Sequence, residues 1–331
     1  MTLRLPPYGV GTAELGNLYT PISDAEAQAT IEAAWECGYR YFDTAPYYGF
    51  GLSEQRLGTA LSVIDPGQAA IVSTKVGRIL DPVASPARER HGFVDAAPFE
   101  PRFDYSGEAI LQSHEESLGR LQRDRINILL VHDIGELTHG AASDQHLRTF
   151  LESGYPALAK LRDTGVVDMI GLGVNETEVC DFLLDRIDLD VILLAGRLTL
   201  LDQRALTSVL PKCEQQGVQF IAAAPFNSGI LARSAAEAAS AHYDYKRPSA
   251  QLVDKATAIE RVCARFGVVL PAAAMQFPNR HSAVSCVLAG MATPSEVKEN
   301  HQRSTADLPD ELWGALRAEG LIDLPLARRD A

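Results

Sequence analysis

The sequence predicts a (β/α)8 barrel, an α/β fold in which eight parallel strands, each followed by a helix, close on themselves. Short apolar or β-branched runs alternate with longer helical patterns, and there are eight such runs. Nothing within the 331 residues marks a boundary between domains. We therefore expect residues 1–331 to form a single barrel domain with its functional site at the carboxyl ends of the strands. A doubly wound open sheet is the alternative fold.

Each predicted strand is a short run between two helical patterns. The eight runs are residues 9–13, 40–45, 70–76, 126–133, 169–175, 191–196, 218–224 and 283–290. Ser23, three residues before Glu26, predicts a capping box for the first helix, which runs through Trp35 and ends before Gly38. Further helices are predicted to begin at residues 53–54, 202 and 294–296.

Two connections are much longer than the others. Residues 78–106 follow the third predicted strand and are rich in proline, arginine and aromatic residues. Residues 232–250 follow the seventh strand and contain Tyr243 and Tyr245. Loops that follow barrel strands lie at the carboxyl-terminal face, so we expect both connections to shape a substrate pocket there. Surface decoration is the alternative.

Composition excludes several classes of protein. The chain has 30 Lys and Arg against 43 Asp and Glu, a net charge of −13, which is the wrong sign for binding a nucleic-acid backbone. The N-terminal stretch lacks the apolar core of a signal peptide, and no apolar run has the length of a membrane span. Five cysteines without a C-x-x-C pair predict buried, reduced thiols. We expect a cytoplasmic protein that binds no nucleic acid, membrane or metal; the sequence makes no prediction of its oligomeric state.

Polar side chains end three of the predicted strands. Asp43, Lys75 and His132 lie at or next to the carboxyl ends of the second, third and fourth strands, and Tyr48 follows in the loop after the second. Because these strand ends converge on one mouth of a barrel, we expect the four side chains to share a pocket. Each has a structural alternative when taken alone: a turn cap, a neutralising charge, a loop aromatic or a histidine bonded to backbone.

The four residue types together are typical of a proton relay. A tyrosine hydroxyl has a pKa of about 10, too high for an efficient base near neutral pH. A lysine ammonium about 4 Å away stabilises the phenolate by about 4 kcal/mol of gross Coulomb energy, and a net fraction of this would lower the pKa of Tyr48 by about one or two pH units. Asp43 would keep Lys75 charged and oriented, while His132 would hydrogen-bond the substrate oxygen. This pattern predicts oxidation of an alcohol or reduction of a carbonyl.

Motifs along nearly the whole chain resemble those of the aldo/keto reductase superfamily in order and approximate spacing. They are Gly11–Thr12, FDTAPYYGFGLSE (42–54), STKVG (73–77), LLVHD (129–133), AAPFNSGIL (223–231) and LAGMATPSEVKEN (288–300). The resemblance implies a (β/α)8 barrel, a nicotinamide cofactor bound without a Rossmann fold, and a catalytic set of Asp, Tyr, Lys and His. Those roles fall on Asp43, Tyr48, Lys75 and His132.

One branch of the family is more similar than the rest. It holds D-threo-aldose and L-fucose 1-dehydrogenases, L-galactose dehydrogenase and a bacterial pyridoxal 4-dehydrogenase, and it is matched by PFEPRFDYS (98–106) and LLAGRLTLLDQ (193–203). Their substrates form cyclic hemiacetals, and removal of hydride from the hemiacetal carbon gives a lactone. The resemblance implies a dehydrogenase of a small cyclic hemiacetal, pyridoxal or an aldose such as L-fucose, with Tyr48 taking the hydroxyl proton. Leu198, where sugar-oxidising relatives are expected to carry tyrosine, slightly favours pyridoxal.

The resemblance also assigns contacts to the cofactor. Asn175 follows the fifth strand, where many members use Ser-Asn to hold the nicotinamide carboxamide. Ala223 stands where a stacking tyrosine is common, so Phe226 or Arg197 is the expected substitute. The expected cofactor-binding residues are Gly11, Thr12, Asn175, Phe226, Asn227, Ser228, Gly290, Glu296 and Asn300.

The loop after the last strand predicts which nicotinamide cofactor is used. Relatives that prefer NADP meet the ribose 2′-phosphate with Lys and Arg, whereas Gly290 and Glu296 stand at those positions here. A carboxylate repels a phosphate but accepts hydrogen bonds from a ribose hydroxyl, so we expect NAD. The helix from Pro294 would direct its N-terminus toward a cofactor phosphate. The alternative for Glu296 is a plain helix cap.

Two other functions stay open on the sequence alone. The same barrel and relay would serve an NADPH-dependent carbonyl reductase of broad substrate range, which the acidic ribose loop disfavours. A cofactor-binding regulatory subunit without turnover is the non-enzyme alternative. Parallel assays with NAD and NADP distinguish the first alternative, and negligible turnover on every aldehyde and hemiacetal would identify the second.

Overall fold

The strands of this protein are short, and a computed structural model describes them within residues 3–234, 243 and 247–323. In chain order they are β1 (Tyr8–Gly11), β2 (Tyr41–Asp43), β3 (Ile71–Val76), β4 (Arg78–Pro82), β5 (Glu89–Arg90), β6 (Phe93–Val94), β7 (Phe99–Phe103), β8 (Ile128–His132), β9 (Met169–Val174), β10 (Val191–Ala195), β11 (Gln219–Ala223) and β12 (Val284–Gly290). Eight of these described strands pair in parallel and close a barrel in the order β1-β12-β11-β10-β9-β8-β3-β2. The predicted (β/α)8 barrel is confirmed, with every strand within two residues of its predicted ends, and the open-sheet alternative is wrong.

Helices follow the barrel strands and cover the outside. They are α1 (Asp24–Glu36), α2 (Leu52–Ile64), α3 (Gly107–Leu121), α4 (Glu136–His139), α5 (Ser143–Thr149), α6 (Tyr155–Asp163), α7 (Thr177–Leu184), α8 (Val209–Gln216), α9 (Ala250–Arg265), α10 (Leu270–Gln276), α11 (Pro294–Thr305) and α12 (Asp310–Ala318). The predicted capping box is confirmed: the Ser23 hydroxyl accepts from the Glu26 N–H, and the Glu26 carboxylate accepts from the Ser23 N–H. The predicted helix start at Asp202 is wrong, because its carboxylate accepts from the N–H of Arg204 in a short 3-10 turn and α8 begins only at Val209.

The core has two layers, one inside the barrel and one between the barrel and its helices. Because successive side chains alternate across a strand, β2 turns Tyr41 and Asp43 inward and packs Phe42 into the outer layer. The inner layer is filled by Tyr41, Ile128, Leu130, Met169, Val191, Leu193, Ile221, Ala223, Cys286 and Leu288. These apolar side chains plug the barrel below the carboxyl ends of the strands, so polar side chains at those ends face a mouth with a closed floor.

The first long connection forms two small antiparallel pairs beyond the carboxyl end of β3. In one pair β4 and β7 place Arg78 opposite Phe103, and in the other β5 and β6 pair over two residues. The predicted position of this connection at the carboxyl-terminal face is therefore confirmed.

The second long connection is described only in part. Residues 235–242 and 244–246, including Tyr245, lie outside the described residues. The hydroxyl of Tyr243 donates to the Asp202 carboxylate over 3.4 Å.

The five cysteines of the chain are free thiols. Cys180, Cys213, Cys263 and Cys286 are buried, Cys37 is partly exposed, and none forms a disulfide. No helix in residues 3–234 and 247–323 is both long and apolar enough to cross a membrane.

Candidate active site

The four polar side chains predicted to converge do meet at the mouth of the barrel. Asp43 ends β2, Lys75 is the penultimate residue of β3 and His132 ends β8. The ammonium of Lys75 donates to Asp43 Oδ2 over 2.7 Å and to the hydroxyl oxygen of Tyr48 over 3.1 Å. The ring of Tyr48 meets the ring of His132 edge-on, with centroids 5.9 Å apart. The predicted convergence is confirmed; the catalytic roles of the four remain a proposal, argued below.

Tyr48 is held in place by contact between two stretches of backbone. A Cβ atom on Gly49 would lie 2.4 Å from the Gly16 carbonyl oxygen, and one on Gly16 would lie 2.5 Å from the Tyr48 carbonyl carbon. Gly49 also has a φ of 63°, in the left-handed region that side chains disfavour. Only glycine fits at either position, so the loop that carries Tyr48 is fixed against the turn after β1.

The buried Asp43–Lys75 ion pair is satisfied on every side. Ser73 donates its hydroxyl to Asp43 Oδ1 over 2.6 Å, and Lys75 donates a further bond to the Thr44 carbonyl over 2.8 Å. A Cβ atom on Gly173 would lie 3.1 Å from Lys75 Cε, so glycine here leaves room for the lysine chain. A buried ion pair persists only when its remaining donors and acceptors are bonded, and this one meets that condition.

The expected lowering of the Tyr48 pKa is wrong. Burial of its hydroxyl, followed by the nearby carboxylates of Asp43 and Asp133, raises the pKa of Tyr48 well above 10. The electrostatic reason is that Lys75 already contacts Asp43, so the phenol faces a nearly neutral ion pair rather than a free cation. The attraction of Lys75 alone would lower the pKa of Tyr48, but desolvation of the hydroxyl and the negative charges of the two aspartates outweigh it.

His132 is a neutral imidazole in this setting. Burial, followed by the charges of Arg78 and Lys75, lowers the pKa of His132 well below 6.5. Its Nε2 lies 3.4 Å from Asp133 Oδ2, and its buried Nδ1 has no hydrogen-bond partner among the described residues. A neutral imidazole carries one N–H, so His132 is able to donate a single hydrogen bond to a substrate oxygen.

Sequence analysis missed two charged residues of the mouth. Asp133 follows His132, and Arg78 follows β3 by two residues; the Arg78 guanidinium donates to Asp133 Oδ2 over 2.5 Å. Both are buried or nearly so, with side-chain exposures of 7% for Arg78 and 12% for Asp133. Asp133 directly follows a barrel strand, so the strand-end rule that identified Asp43 would also have found it.

The end of β1 supports the catalytic pocket from behind. The Thr12 hydroxyl donates to the Asp43 carbonyl over 2.9 Å and lies 2.8 Å from the Ser53 hydroxyl. Thr12 is fully buried, so its side chain anchors the backbone of Asp43, and its expected contact with a cofactor stays a prediction. Gly11, its neighbour, ends β1 beside Gly290 of β12.

A carboxyl group lies over the end of the last strand. A Cβ atom on Gly290 would lie 2.3 Å from Glu14 Oε1, so Gly290 makes room for this side chain. Glu14 Oε2 is buried and has no hydrogen-bond partner among the described residues. Burial, reinforced by repulsion from Glu296, raises the pKa of Glu14 to about 7. Sequence analysis did not single out Glu14 as a ligand of any kind.

Glu296 acts partly as a helix cap, which was the alternative to its expected role as a ribose ligand. One of its oxygens, Oε2, accepts from the Ala292 N–H over 2.7 Å, while its own N–H donates to the Thr293 hydroxyl. The predicted helix start at residues 294–296 is confirmed. The other carboxylate oxygen, Oε1, makes no hydrogen bond within the described residues.

Asn175 and Asn227 lie on the rim of the mouth. Asn175 donates to Asp133 Oδ1 over 3.0 Å, and its carbonyl accepts from Arg197 Nε over 2.7 Å. Asn227 donates to the Gly196 carbonyl, while its buried Oδ1 has no partner in the part of the chain described. Asn227 and Ser228 both have left-handed φ values, 45° and 57°, which turn the loop after β11 sharply.

Phe226 and Asn300 lie together on the side of α11. The guanidinium of Arg303 is 5.8 Å from the Phe226 ring centroid and donates to Asn300 Oδ1 over 2.8 Å. Phe226 packs against the outer layer of the core, and Ala223 belongs to the inner layer. Phe226 thus lies toward α11, and its role as a substitute for the usual stacking tyrosine stays a prediction.

The rim residues fit a nicotinamide dinucleotide. Buried oxygens without partners, Asn227 Oδ1 and Glu14 Oε2, are acceptors that a ligand rich in hydroxyl and amide donors would satisfy. The loop after β11 turns sharply at Asn227 and Ser228, and α11 begins four residues after Gly290, so the N-terminus of a helix follows the end of the last strand closely. No group of three or more metal-ligating side chains is found within the described ranges.

Comparison with known proteins agrees with this geometry. The family model "Aldo/keto reductase family" matches residues 7–319. Pyridoxal 4-dehydrogenase of Microbacterium luteolum is 39% identical, with 97% of this chain and 95% of that protein covered. D-threo-aldose 1-dehydrogenase of a Pseudomonas species is also 39% identical, over 98% and 96% of the two chains. An aldo-keto reductase of Bacillus halodurans, solved in its holo form, superposes with a TM-score of 0.74 at 23% identity, covering 99% and 95% of the two chains, and shows the same fold.

The chain therefore belongs to the aldo/keto reductase family. The family predicted from the motifs is confirmed, and with it an oxidoreductase that uses a nicotinamide cofactor.

Proposed function

We propose that this aldo/keto reductase is an NAD-dependent dehydrogenase that oxidises the hemiacetal carbon of a small cyclic hemiacetal to a lactone. The substrate is pyridoxal, giving 4-pyridoxolactone, or an aldose such as L-fucose or D-threo-aldose. The observation that carries the proposal is the bond of 3.1 Å between Lys75 Nζ and the Tyr48 hydroxyl, with Asp43 fixing the lysine. The names of the two relatives at 39% identity, one acting on pyridoxal and one on aldoses, support the substrate class.

The chemistry divides between the cofactor and the chain. A bound nicotinamide supplies an acceptor for the hydride that leaves the hemiacetal carbon. Tyr48 takes the proton of the hemiacetal hydroxyl, so that the C–O bond becomes the C=O bond of the lactone. His132, neutral and buried, donates a hydrogen bond to the reacting oxygen without adding charge. Asn175, Asn227 and Asn300 are proposed to hold the cofactor, with the loop at Phe226 and Ser228.

The preference for NAD is proposed from charge at the end of β12. Glu14 lies over Gly290, and Glu296 repels it, so two carboxyl groups flank the position where a ribose would lie. A 2′-phosphate there would meet these groups with no Lys or Arg at the two positions that bind it in relatives preferring NADP. A ribose hydroxyl instead finds a hydrogen-bond acceptor in the Oε1 atom of Glu296.

The aromatic wall beside His132 suits a flat or weakly polar substrate. Tyr47 is partly buried, with its ring centroid 6.0 Å from that of His132 and 5.4 Å from that of Phe93. Leu198 is buried and adds no hydroxyl. A pyridine ring would stack on such a wall, and an aldose would pack its apolar face there.

A steady-state assay of the purified protein tests the proposal. L-fucose, L-galactose, D-arabinose and pyridoxal are offered in parallel with NAD and with NADP, and lactone is identified by mass spectrometry. We expect lactone from at least one substrate, a kcat/KM with NAD at least about tenfold above that with NADP, and a rate that rises through alkaline pH because the pKa of Tyr48 is raised. A preference for NADP contradicts the cofactor assignment, and the absence of lactone from all four contradicts the reaction.

A further inference from the structure

Arg78 is a buried guanidinium whose hydrogen-bonding capacity is mostly unused. Its side chain is only 7% exposed. It donates from Nη2 to Asp133 Oδ2, while its buried Nε has no partner among the described residues and Nη1 makes no hydrogen bond to them either. Buried polar atoms without partners are uncommon and cost free energy, and they often belong to binding sites.

The guanidinium is held rigidly by the residues around it. Its central carbon lies 3.7 Å from the Tyr47 ring centroid and 4.8 Å from that of Phe103. Its ion-pair partner Asp133 is itself fixed, because the other carboxylate oxygen accepts from Asn175 over 3.0 Å. Little side-chain entropy is left for a ligand to remove, which is the condition under which an arginine fork binds tightly.

Arg78 is also a direct neighbour of the reacting groups. Its Nη2 atom and the Nε2 atom of His132 both approach the same oxygen, Asp133 Oδ2, at 2.5 and 3.4 Å. The ring of Tyr47, on which the guanidinium rests, lies edge-on to His132. A hemiacetal hydroxyl held between Tyr48 and His132 would place the substrate's next ring atoms toward Arg78.

Substrates of the proposed class carry an oxygen substituent near that place. An aldose carries a hydroxyl on the carbon bonded to its hemiacetal carbon. Pyridoxal carries its ring hydroxyl one bond further away, on the ring atom next to the one that bears the hemiacetal carbon. Each is a hydrogen-bond acceptor, and the ring hydroxyl of pyridoxal is acidic enough to be an anion. Guanidinium N–H groups bind such oxygens through charge-assisted hydrogen bonds.

We propose that Arg78 binds the ring oxygen substituent nearest the hemiacetal carbon, the 2-hydroxyl of an aldose or the ring hydroxyl of pyridoxal, and thereby determines specificity for substrates that carry it. This inference rests on the proposed dehydrogenase function. Asp133 is the positioning residue of the pair, since it holds Arg78 through one oxygen and meets Asn175 with the other. The tyrosine, lysine and histidine act on the reacting hydroxyl, and Arg78 selects what stands beside it.

A substrate-by-variant cycle tests this assignment. Arg78→Met and Arg78→Lys are compared with wild type on pyridoxal and 3-deoxypyridoxal, and on L-fucose and 2-deoxy-L-fucose. Loss of hydrogen bonds from a charged donor is expected to lower kcat/KM for the parent substrate about 10- to 100-fold in Arg78→Met, and less in Arg78→Lys. On the deoxy analogue the same substitutions should change kcat/KM less than about threefold, because the bond is already absent. The substrate pair that shows this coupling identifies pyridoxal or the aldose as the source of the oxygen.

Controls separate binding from structural damage. Arg88, in the same connection, is paired with Asp95 at 75% exposure, and Arg88→Met should leave both substrates unaffected. Equal losses on parent and deoxy substrates would show that Arg78 only supports the fold, and no loss at all would also overturn the proposal. If Arg78→Met does not fold, the wild-type enzyme alone still tests the proposal. Its kcat/KM on one parent substrate must exceed that on the deoxy analogue by about tenfold or more, and equal values would overturn the proposal. A wild-type enzyme without lactone formation instead contradicts the proposed function and is recognised before any variant is made.

Discussion

The barrel holds a buried pair of aspartate and cation at each end, and the two ends use them differently. At the amino-terminal end, Asp65 lies 3.3 Å from Arg123 and accepts from two backbone N–H groups. At the carboxyl-terminal end, Asp43 lies 2.7 Å from Lys75. Side-chain exposure is 4% or less in both pairs. Burial and charge are therefore the same, and only the remaining hydrogen bonds differ.

Those remaining bonds decide what each pair does. Arg123 directs its other donors to the carbonyls of Gln68 and Ala70, so every bond of that pair closes within the fold. Lys75 instead gives one donor to the Tyr48 hydroxyl, which lies partly buried at the mouth. The Asp65–Arg123 pair makes all of its bonds within the fold, whereas the Asp43–Lys75 pair bonds the Tyr48 hydroxyl, the proton acceptor of the proposed reaction. This matches the division of the barrel into a face that supports stability and a face that carries the site.

We expect the greatest loss of activity from a substitution of Tyr48, whose hydroxyl accepts a hydrogen bond from Lys75. Tyr48→Phe should lower kcat/KM by about 10²–10⁴-fold, because it removes the proton acceptor, while the free energy of unfolding changes by less than about 1.5 kcal/mol. Binding of NADH, followed by fluorescence, should be unchanged. Tyr155→Phe is the matched control, since that hydroxyl bonds to the Asp188 backbone, its one hydrogen-bond partner in the described part of the chain, on the outside of the barrel. Turnover within tenfold of wild type would mean that Tyr48 is not the proton acceptor.

Removing one member of the Asp65–Arg123 pair should lower the stability of the fold and leave enzyme activity unchanged. Asp65→Ala leaves Arg123 buried without its carboxylate, which is expected to cost about 3–5 kcal/mol in urea unfolding. The kcat of the folded enzyme should stay within about twofold of wild type. Asp254→Ala, at an exposed position of α9, is the control and should change neither the free energy of unfolding nor kcat. A loss of kcat larger than tenfold per folded molecule would show that the amino-terminal pair also serves catalysis.

Glu14 differs from both pairs because this carboxyl group at the rim has no cation partner among the described residues. Burial raises the pKa of Glu14 from 4.5 to about 7. Between these two pH values the carboxyl group is protonated in the native state and ionised in the unfolded chain. Stability from this group is therefore full below pH 4.5 and is lost as pH rises through 7. We expect the free energy of unfolding of Glu14→Gln to exceed that of wild type by about 1–3 kcal/mol at pH 8.5 and to equal it at pH 4.5.

The control for this titration is an exposed carboxylate. Glu36→Gln, at the end of α1, should leave the difference between the two pH values unchanged. Equal stabilisation by Glu14→Gln at both pH values would mean that its carboxyl group does not titrate near 7.

Sequence alone located the strands and the reactive quartet because both follow local rules. Apolar runs of the right spacing gave the barrel, and a barrel brings strand ends together whatever the loops do, which is why Tyr48 and Lys75 could be paired in advance. Arg78 escaped notice because arginine in a loop rich in charge is usually solvated. Only packing on Tyr47 and Phe103 buries it.

Electrostatic outcomes were harder to predict than positions. The direction of the Tyr48 pKa shift depends on how far Asp43 cancels Lys75 and on how dry the hydroxyl is, and neither quantity is written in a motif. The roles of Thr12 and Glu296 also turned on which backbone atoms lie nearby, since each side chain is engaged by main-chain groups of its own surroundings.

The antiparallel pair of β4 and β7 has one more consequence. Because Arg78 stands opposite Phe103, the intervening segment leaves the barrel and returns to it side by side. Residues 79–102 are thus one excursion from the barrel, and they also contact the Tyr48 loop, since the Ala97 N–H donates to the Gly49 carbonyl over 3.1 Å. Exchange of these residues between relatives would alter the surface around the mouth and also, through the contacts with Gly49 and Tyr47, the surroundings of Tyr48 and Arg78.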